Sequence, residues 1–191
     1  MTALIPRPNT PEAAPSVLIV LDVDGVLNQL MPETRDGDEG EWVTRRDGHS
    51  FRIRADVAVV EALDEQLKRE GVGFGWLTTW DADVDLLIGG PFQGRLAGGY
   101  IIAARPDEIF IASDWKLRAL LDHLDELGHP AYVWADDDAV KEALLFRPAF
   151  ASATGRSGGV RLLLSTESEM GLTLKDVGQI REFIDCAVSG P

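Results

Sequence analysis

Apolar runs without polar alternation recur along the chain, and each ends on polar or charged residues. Val17–Leu21, Val72–Leu77, Ala131–Trp134 and Val160–Leu164 carry this pattern, which predicts strands covered on both faces. Tyr100–Ala104 and Glu108–Ala112 are also strand-like, and either can enter a sheet. Between these runs the apolar period changes to that of a helix. Val57, Val60, Leu63 and Leu67 share a face within Asp56–Glu70, where Asp56 can cap and Gly71 stops the helix. Leu117, Leu120, Leu121 and Leu124 do the same within Trp115–Leu127. Asp83–Ile88 and Ala139–Phe146 read as shorter helices, and Thr173-Leu-Lys-Asp176 as a capping box opening a helix that runs to about Ala187. Trp42–Arg54 reads instead as two short strands around Asp47-Gly48, a hairpin signal. Pro32–Glu41, the Gly/Pro-rich stretch through Gly99, and Arg147–Gly159 are irregular. Strands alternating with helices imply an α/β fold with a parallel sheet, whose ligands bind at the carboxyl ends of the strands.

Length and charge narrow the possibilities. The chain has 191 residues, enough for one domain with a small insert. A net charge of −14 repels nucleic-acid backbone and anionic membrane, which argues against direct nucleic-acid binding without a partner. A phosphorylated small molecule or nucleotide remains compatible. No apolar run reaches the roughly 18 residues that a membrane span requires. The Pro-rich stretch from Met1 to Ser16 lacks the apolar centre of a signal peptide and reads as a flexible tail. A single cysteine, Cys186, rules out an intramolecular disulfide, so the cytoplasm is the expected compartment.

The first apolar run ends in Asp22-Val-Asp24-Gly25. Two like charges about 4 Å apart repel by roughly 4 kcal/mol at an effective dielectric near 20, so a positive partner is expected. A divalent cation is the obvious candidate. A plain turn is the alternative, since Asp often serves in turns. A calcium loop of the EF-hand kind fits worse: its glycine belongs at the sixth position, and a helix should precede it. Three more polar sites follow strands or open helices: Thr78, Lys116, and Asp136-Asp137-Asp138. Alone, each reads as a cap, an exposed lysine or a capping cluster. Together on one sheet edge they read as a site. The hairpin concentrates Arg45, Arg46, Arg52 and Arg54 in an acidic chain, either as a solvated face or as a substrate-facing flap.

In this order the motifs resemble the haloacid dehalogenase (HAD) superfamily: Asp22-Val-Asp-Gly25, Gly-Trp-Leu-Thr78, a lone Lys116 in Ser-Asp-Trp-Lys-Leu, and Trp-Ala-Asp136-Asp137. Trp-Leu-Thr-Thr-Trp, Trp-Ala-Asp-Asp-Asp and Gly171-Leu-Thr are similar to small bacterial HAD domains, some grouped with RNA-repair proteins. The resemblance implies a Rossmann-like three-layer sandwich over residues 17–187, with residues 29–54 as a small hairpin flap in place of a full cap domain. It implies a Mg2+-dependent phosphatase working through an aspartyl phosphate. Asp22 is then the nucleophile, Asp24 the general acid and base, and Thr78 and Lys116 bind and balance the phosphoryl charge. Asp22, the Asp24 backbone carbonyl, and Asp136 or Asp137 are the metal ligands that the resemblance implies. Thr79, Arg45 and Arg46 are the candidate substrate contacts. A response-regulator receiver also uses acidic residues, Thr and Lys on a parallel sheet, but the order differs here. Two other readings stay open: an end-processing phosphatase working with a partner that supplies nucleic acid, and a non-catalytic phosphate- or partner-binding domain.

Overall fold

Strand β1 (Val17–Leu21) is the axis of the molecule, and all five of its side chains are buried. The computed structural model describes residues 14–30, 41–46, 48–103, 115–146 and 160–189. The start of the tail (1–13), the acidic stretch 32–40, the strand expected at Glu108–Ala112 and the loop 147–159 lie outside these residues. β2 (Glu41–Arg46) and β3 (His49–Arg54) form a separate antiparallel pair. The remaining strands are β4 (Val72–Trp76), β5 (Tyr100–Ile101), β6 (Ala131–Asp136) and β7 (Arg161–Ser165), and with β1 they form one parallel sheet ordered β5-β4-β1-β6-β7. The helices are α1 (Val57–Leu67), α2 (Val84–Gly89), α3 (Trp115–Glu126), α4 (Ala139–Phe146) and α5 (Leu174–Ser189).

The pleat of β1 explains the three layers, because successive side chains of a strand point to opposite faces. Val17, Ile19 and Leu21 pack with Val59, Val60 and Leu63 of α1 and with Val177, Ile180 and Ile184 of α5. Leu18 and Val20 pack on the other face with Leu117, Leu120 and Leu124 of α3 and Val140 of α4. Burying one such side chain is worth roughly 1.5–3 kcal/mol, so a strand covered on both faces anchors the sheet. The architecture is the expected Rossmann-like α/β sandwich, and every pairing in the main sheet is parallel. No helix among the described residues is long and apolar enough to cross a membrane.

The helix ends follow local chemistry. The Asp56 carboxylate accepts from the Ala58 and Val59 amides and caps α1. Thr173 and Asp176 bond reciprocally at the start of α5, the predicted capping box. Most boundaries shift by one to three residues, and two of the shifts bear on the sheet. β5 ends at Ile101, and β6 continues through Asp136 rather than stopping at Trp134. The reason for the second lies in pairing: Ala135 and Asp136 face Leu164 and Ser165 of β7, so the ladder carries the chain into its acidic end.

Centrality in the sheet fixes what comes together. Leu21 pairs with Trp76 of β4 on one side and with Ala135 of β6 on the other. The residues just past these three strands therefore share one edge, at the crevice where the chain, after running from β1 out through β4 to β5, crosses over to β6.

Candidate active site

Asp22 follows β1 directly, and its amide donates to the Ala135 carbonyl at 3.1 Å. Its Oδ1 accepts from the Val23 amide at 2.7 Å, and its Oδ2 accepts from the Lys116 ammonium at 2.5 Å. The same ammonium donates to Oδ2 of Asp136 at 2.7 Å. Thr78, buried just past β4, lies beside the Asp22 carboxylate and favours its ionised form. Asp136 is fully buried, with its Oδ1 capping α4 through the amides of Asp138 (3.0 Å) and Ala139 (2.6 Å). Asp137 accepts from the Ser168 hydroxyl at 2.7 Å.

The electrostatics explain why such a group stays together. Burial pushes the Asp22 carboxyl up to about 6; Lys116 opposes that rise and Asp136 adds to it. Burial alone also disfavours the Lys116 ammonium, but Asp22 and Asp136 outweigh it, so its pKa rises. The lysine therefore holds its proton, and Asp22 is the partner whose ionisation is contested. One carboxylate oxygen from each of Asp22, Asp136 and Asp137 lies within 4.8 Å of the others. Three carboxyl groups share one ammonium in a buried place, so ionising all of them calls for more positive charge. An oxygen-ligated divalent cation matches both the donor set and the missing charge. Gly25 shapes the same spot. Its φ is +71°, and a Cβ there would sit 2.2 Å from Oδ2 of Asp137, so the chain passes that carboxylate closely only as glycine.

Asp24, two residues beyond Asp22, lives in different surroundings. Its Oδ1 accepts from Nδ2 of Asn28 at 2.7 Å and its Oδ2 from Nε1 of Trp80 at 2.9 Å. The Asp24 carboxylate thus stands outside the three-carboxylate cluster.

The hairpin sits beside this motif. Ile53 of β3 is buried in the core, and Phe51 meets the Trp80 ring edge-on at 5.3 Å. The Arg54 amide donates to Oδ1 of Asn28 at 2.9 Å, and the Gln29 amide donates to the Arg54 carbonyl at 2.9 Å. Arg46 donates to the Thr79 carbonyl at 2.9 Å, pairs with Asp83 at 2.8 Å, and lies 5.4 Å from the Trp80 ring centre. Arg46 therefore reaches the rim of the site through the loop after β4. Thr79 is exposed on that rim, and the Arg45 side chain lies outside the described part.

The structure thus gathers Asp22, Thr78, Lys116, Asp136 and Asp137 at one point, with Asp24 adjacent. Three participants were not legible as such. Thr166 donates from its hydroxyl to the Gly25 carbonyl at 2.7 Å and braces the first motif. Ser168 holds Asp137. Both follow β7 in a Ser-Thr-Glu-Ser run that carries no motif of its own. Trp80 reads from sequence as core or rim packing, and its bond to Asp24 depends on tertiary placement.

A family model described as the HAD domain in Swiss Army Knife RNA repair proteins matches residues 18–177. That span covers most of the chain, and the chain belongs to this family. No curated protein and no solved structure matches it. Membership points to a phosphohydrolase type of function, and the acidic cluster is compatible with the Mg2+ that HAD domains typically use.

Proposed function

We propose that this HAD domain is a magnesium-dependent phosphatase that transfers the phosphoryl group of a monoester to Asp22 and then to water. The observation that supports it most is the buried ammonium of Lys116 clamped between Asp22 and Asp136, with an independent carboxyl group, Asp24, alongside. In the first step an Asp22 oxygen attacks phosphorus as the bond to the leaving oxygen breaks, and Asp24 gives that oxygen a proton. In the second, Asp24, now a carboxylate, takes a proton from water whose oxygen attacks phosphorus. The bond to Asp22 breaks, inorganic phosphate leaves, and Asp24 is again protonated. Thr78 and the Thr79 amide hold phosphoryl oxygens, and Lys116 offsets the charge that moves between Asp22 and phosphate. A magnesium ion on Asp22, Asp136, Asp137 and the Asp24 carbonyl would supply the positive charge that lets a carboxylate approach a phosphate.

Residues 17–187 serve as one hydrolase domain, with 29–54 as its flap. Arg45 and Arg46 are placed by this reading at the side from which a substrate arrives. So small a flap suits a bulky phosphoester, and the family description favours a second reading within the same chemistry, a phosphatase of RNA ends supplied by a partner. The test is hydrolysis of p-nitrophenyl phosphate with and without magnesium, by wild type and Asp22→Asn. Magnesium-dependent turnover that falls at least about 10³-fold in the variant is expected. Turnover that survives the substitution would remove Asp22 as nucleophile. A panel of 3′- and 5′-phosphorylated oligonucleotides, nucleotides and sugar phosphates separates the two substrate readings.

A further inference from the structure

Asp24 is held by two donors, and both are held by the hairpin. Asn28, the donor to Oδ1, accepts from the Arg54 amide of β3 through its own Oδ1. Trp80, the donor to Oδ2, packs against Phe51 of β3 and lies under the Arg46 guanidinium of β2. We propose that Trp80 is a positioning residue for Asp24, and that the β2–β3 hairpin aligns this acid–base group by holding Trp80 and Asn28 in place. The inference rests on the phosphatase reading above and assigns the hairpin a task beyond covering the substrate.

The geometry carries the argument. A carboxyl group offers about four lone-pair sites on its two oxygens. One donor, on Oδ1, tethers the group but leaves its plane free to turn about the Cβ–Cγ bond, a broad torsion. A second donor on the other oxygen fixes that plane. Two lone-pair sites remain, and a proton on one of them points in a defined direction. An indole N–H is a donor with no acceptor function, so it fixes Oδ2 without competing for that proton. Trp80 is only 2% exposed, so its ring cannot swing away on its own. Arg46 reinforces this through its bonds to the Thr79 carbonyl and Asp83, on either side of Trp80 in sequence. A rigid ring, braced by the flap, thereby sets where the Asp24 proton is delivered. Alignment of this kind matters most when the leaving oxygen is basic, since a poor leaving group departs only as it is protonated.

The experiment compares kcat/KM for phenyl phosphate and p-nitrophenyl phosphate, two similar esters whose leaving oxygens differ in their need for a proton. kcat/KM reports the steps up to departure of the leaving group, so the later hydrolysis of the aspartyl phosphate does not enter. Trp80→Phe keeps a ring against Phe51 and removes the N–H. The expected result is a loss of about 10-fold on phenyl phosphate and less than about 2-fold on p-nitrophenyl phosphate. An equal loss on both esters, or none on either, overturns the proposal while the phosphatase reading stands. A wild type inert on both esters overturns the reading and the proposal with it. Phe51→Ala, at a half-exposed hairpin position, decides the matter alone if the Trp80 variant fails to fold: a selective loss of about 3-fold on phenyl phosphate supports the proposal, and an unselective change overturns it. Val43→Ala, on an exposed hairpin residue 66% open to solvent, is the control and should leave both rates unchanged.

Discussion

Two ion-paired groups in this molecule look alike by distance and differ in kind. At the edge of the parallel sheet, Lys116 lies 2.5 Å from Asp22 and 2.7 Å from Asp136, with side-chain exposures of 13%, 8% and 0%. At the hairpin, Arg46 lies 2.8 Å from Asp83 with exposures of 26% and 42%. Breaking a buried pair strands a charge and typically costs about 3–5 kcal/mol, whereas an exposed pair is worth about 0–1 kcal/mol. The sheet edge is thus a rigid charge trap. The hairpin is attached by contacts of moderate strength, beside the site that the proposed function assigns to substrate. Of these two, the strongly held group lies where geometry must not change, and the weakly held pair lies on the hairpin.

Lys116→Met tests the rigid half most severely. The side chain keeps its length and loses its charge, so Asp22 and Asp136 face each other without the ammonium. We expect a stability loss of about 3–5 kcal/mol in chemical denaturation without metal, and a fall in turnover of at least about 10²-fold. A loss no larger than that of a hairpin variant would erase the distinction between the two regions.

The same cluster predicts how stability depends on pH when metal is removed. The Asp22 carboxyl sits at about 6 in the folded protein, above its ordinary value of 3.8. The folded state therefore binds this proton more tightly than the unfolded state. Its stabilising contribution is complete below about 4 and is lost as pH rises through about 6. Magnesium favours the ionised carboxylate and should recover the loss. Thermal unfolding in chelator and in magnesium should coincide near pH 4 and separate above pH 6. Curves that stay together across this range would show that the cluster does not take up the ion.

Gly25→Ala makes a smaller intrusion at the same edge. The new methyl meets Oδ2 of Asp137, and the φ of +71° is one that alanine adopts only with strain. We expect about 1–3 kcal/mol of destabilisation and magnesium affinity reduced about 10–100-fold, read by calorimetric titration. Unchanged affinity would place Asp137 outside the cation site.

The two regions also differ in how far sequence reveals them. Asp22, Thr78, Lys116 and Asp136 announce themselves because each ends an apolar run or opens a helix, and parallel topology brings such ends to one edge. The capping box at Thr173 and the hairpin around Gly48 rest on local chemistry and are equally legible. What stays hidden depends on which surfaces meet. Nothing in Ser165-Thr-Glu-Ser168 marks a hydroxyl that will hold Asp137 from β7, because that pairing is set by the sheet order. Trp80 looks like one more aromatic near a strand end until the fold brings its N–H to Asp24. Arg46 reads as a cation available to an anion, and only the fold shows that it also bonds the Thr79 carbonyl and Asp83.

Arg46→Ala therefore tests the soft half, and its effect on stability should be the smallest of the series. The substitution removes one partly exposed ion pair, one bond to the Thr79 carbonyl and the cation over Trp80. Global stability should drop by less than about 1 kcal/mol, since the buried Ile53 and the strand bonds of the hairpin remain. The consequence should instead be local. With its end released, the hairpin opens more often, and trypsin should cut at Arg45, Arg52 or Arg54 faster than in wild type while the sheet stays protected. If Arg46→Ala lowers global stability as much as Lys116→Met, the hairpin is part of the rigid frame. If cleavage in the hairpin does not accelerate, Ile53 and Phe51 hold it without help from the cation. Faster local cleavage at nearly unchanged global stability is the outcome that fits a flap tied down loosely beside a site whose charges cannot move.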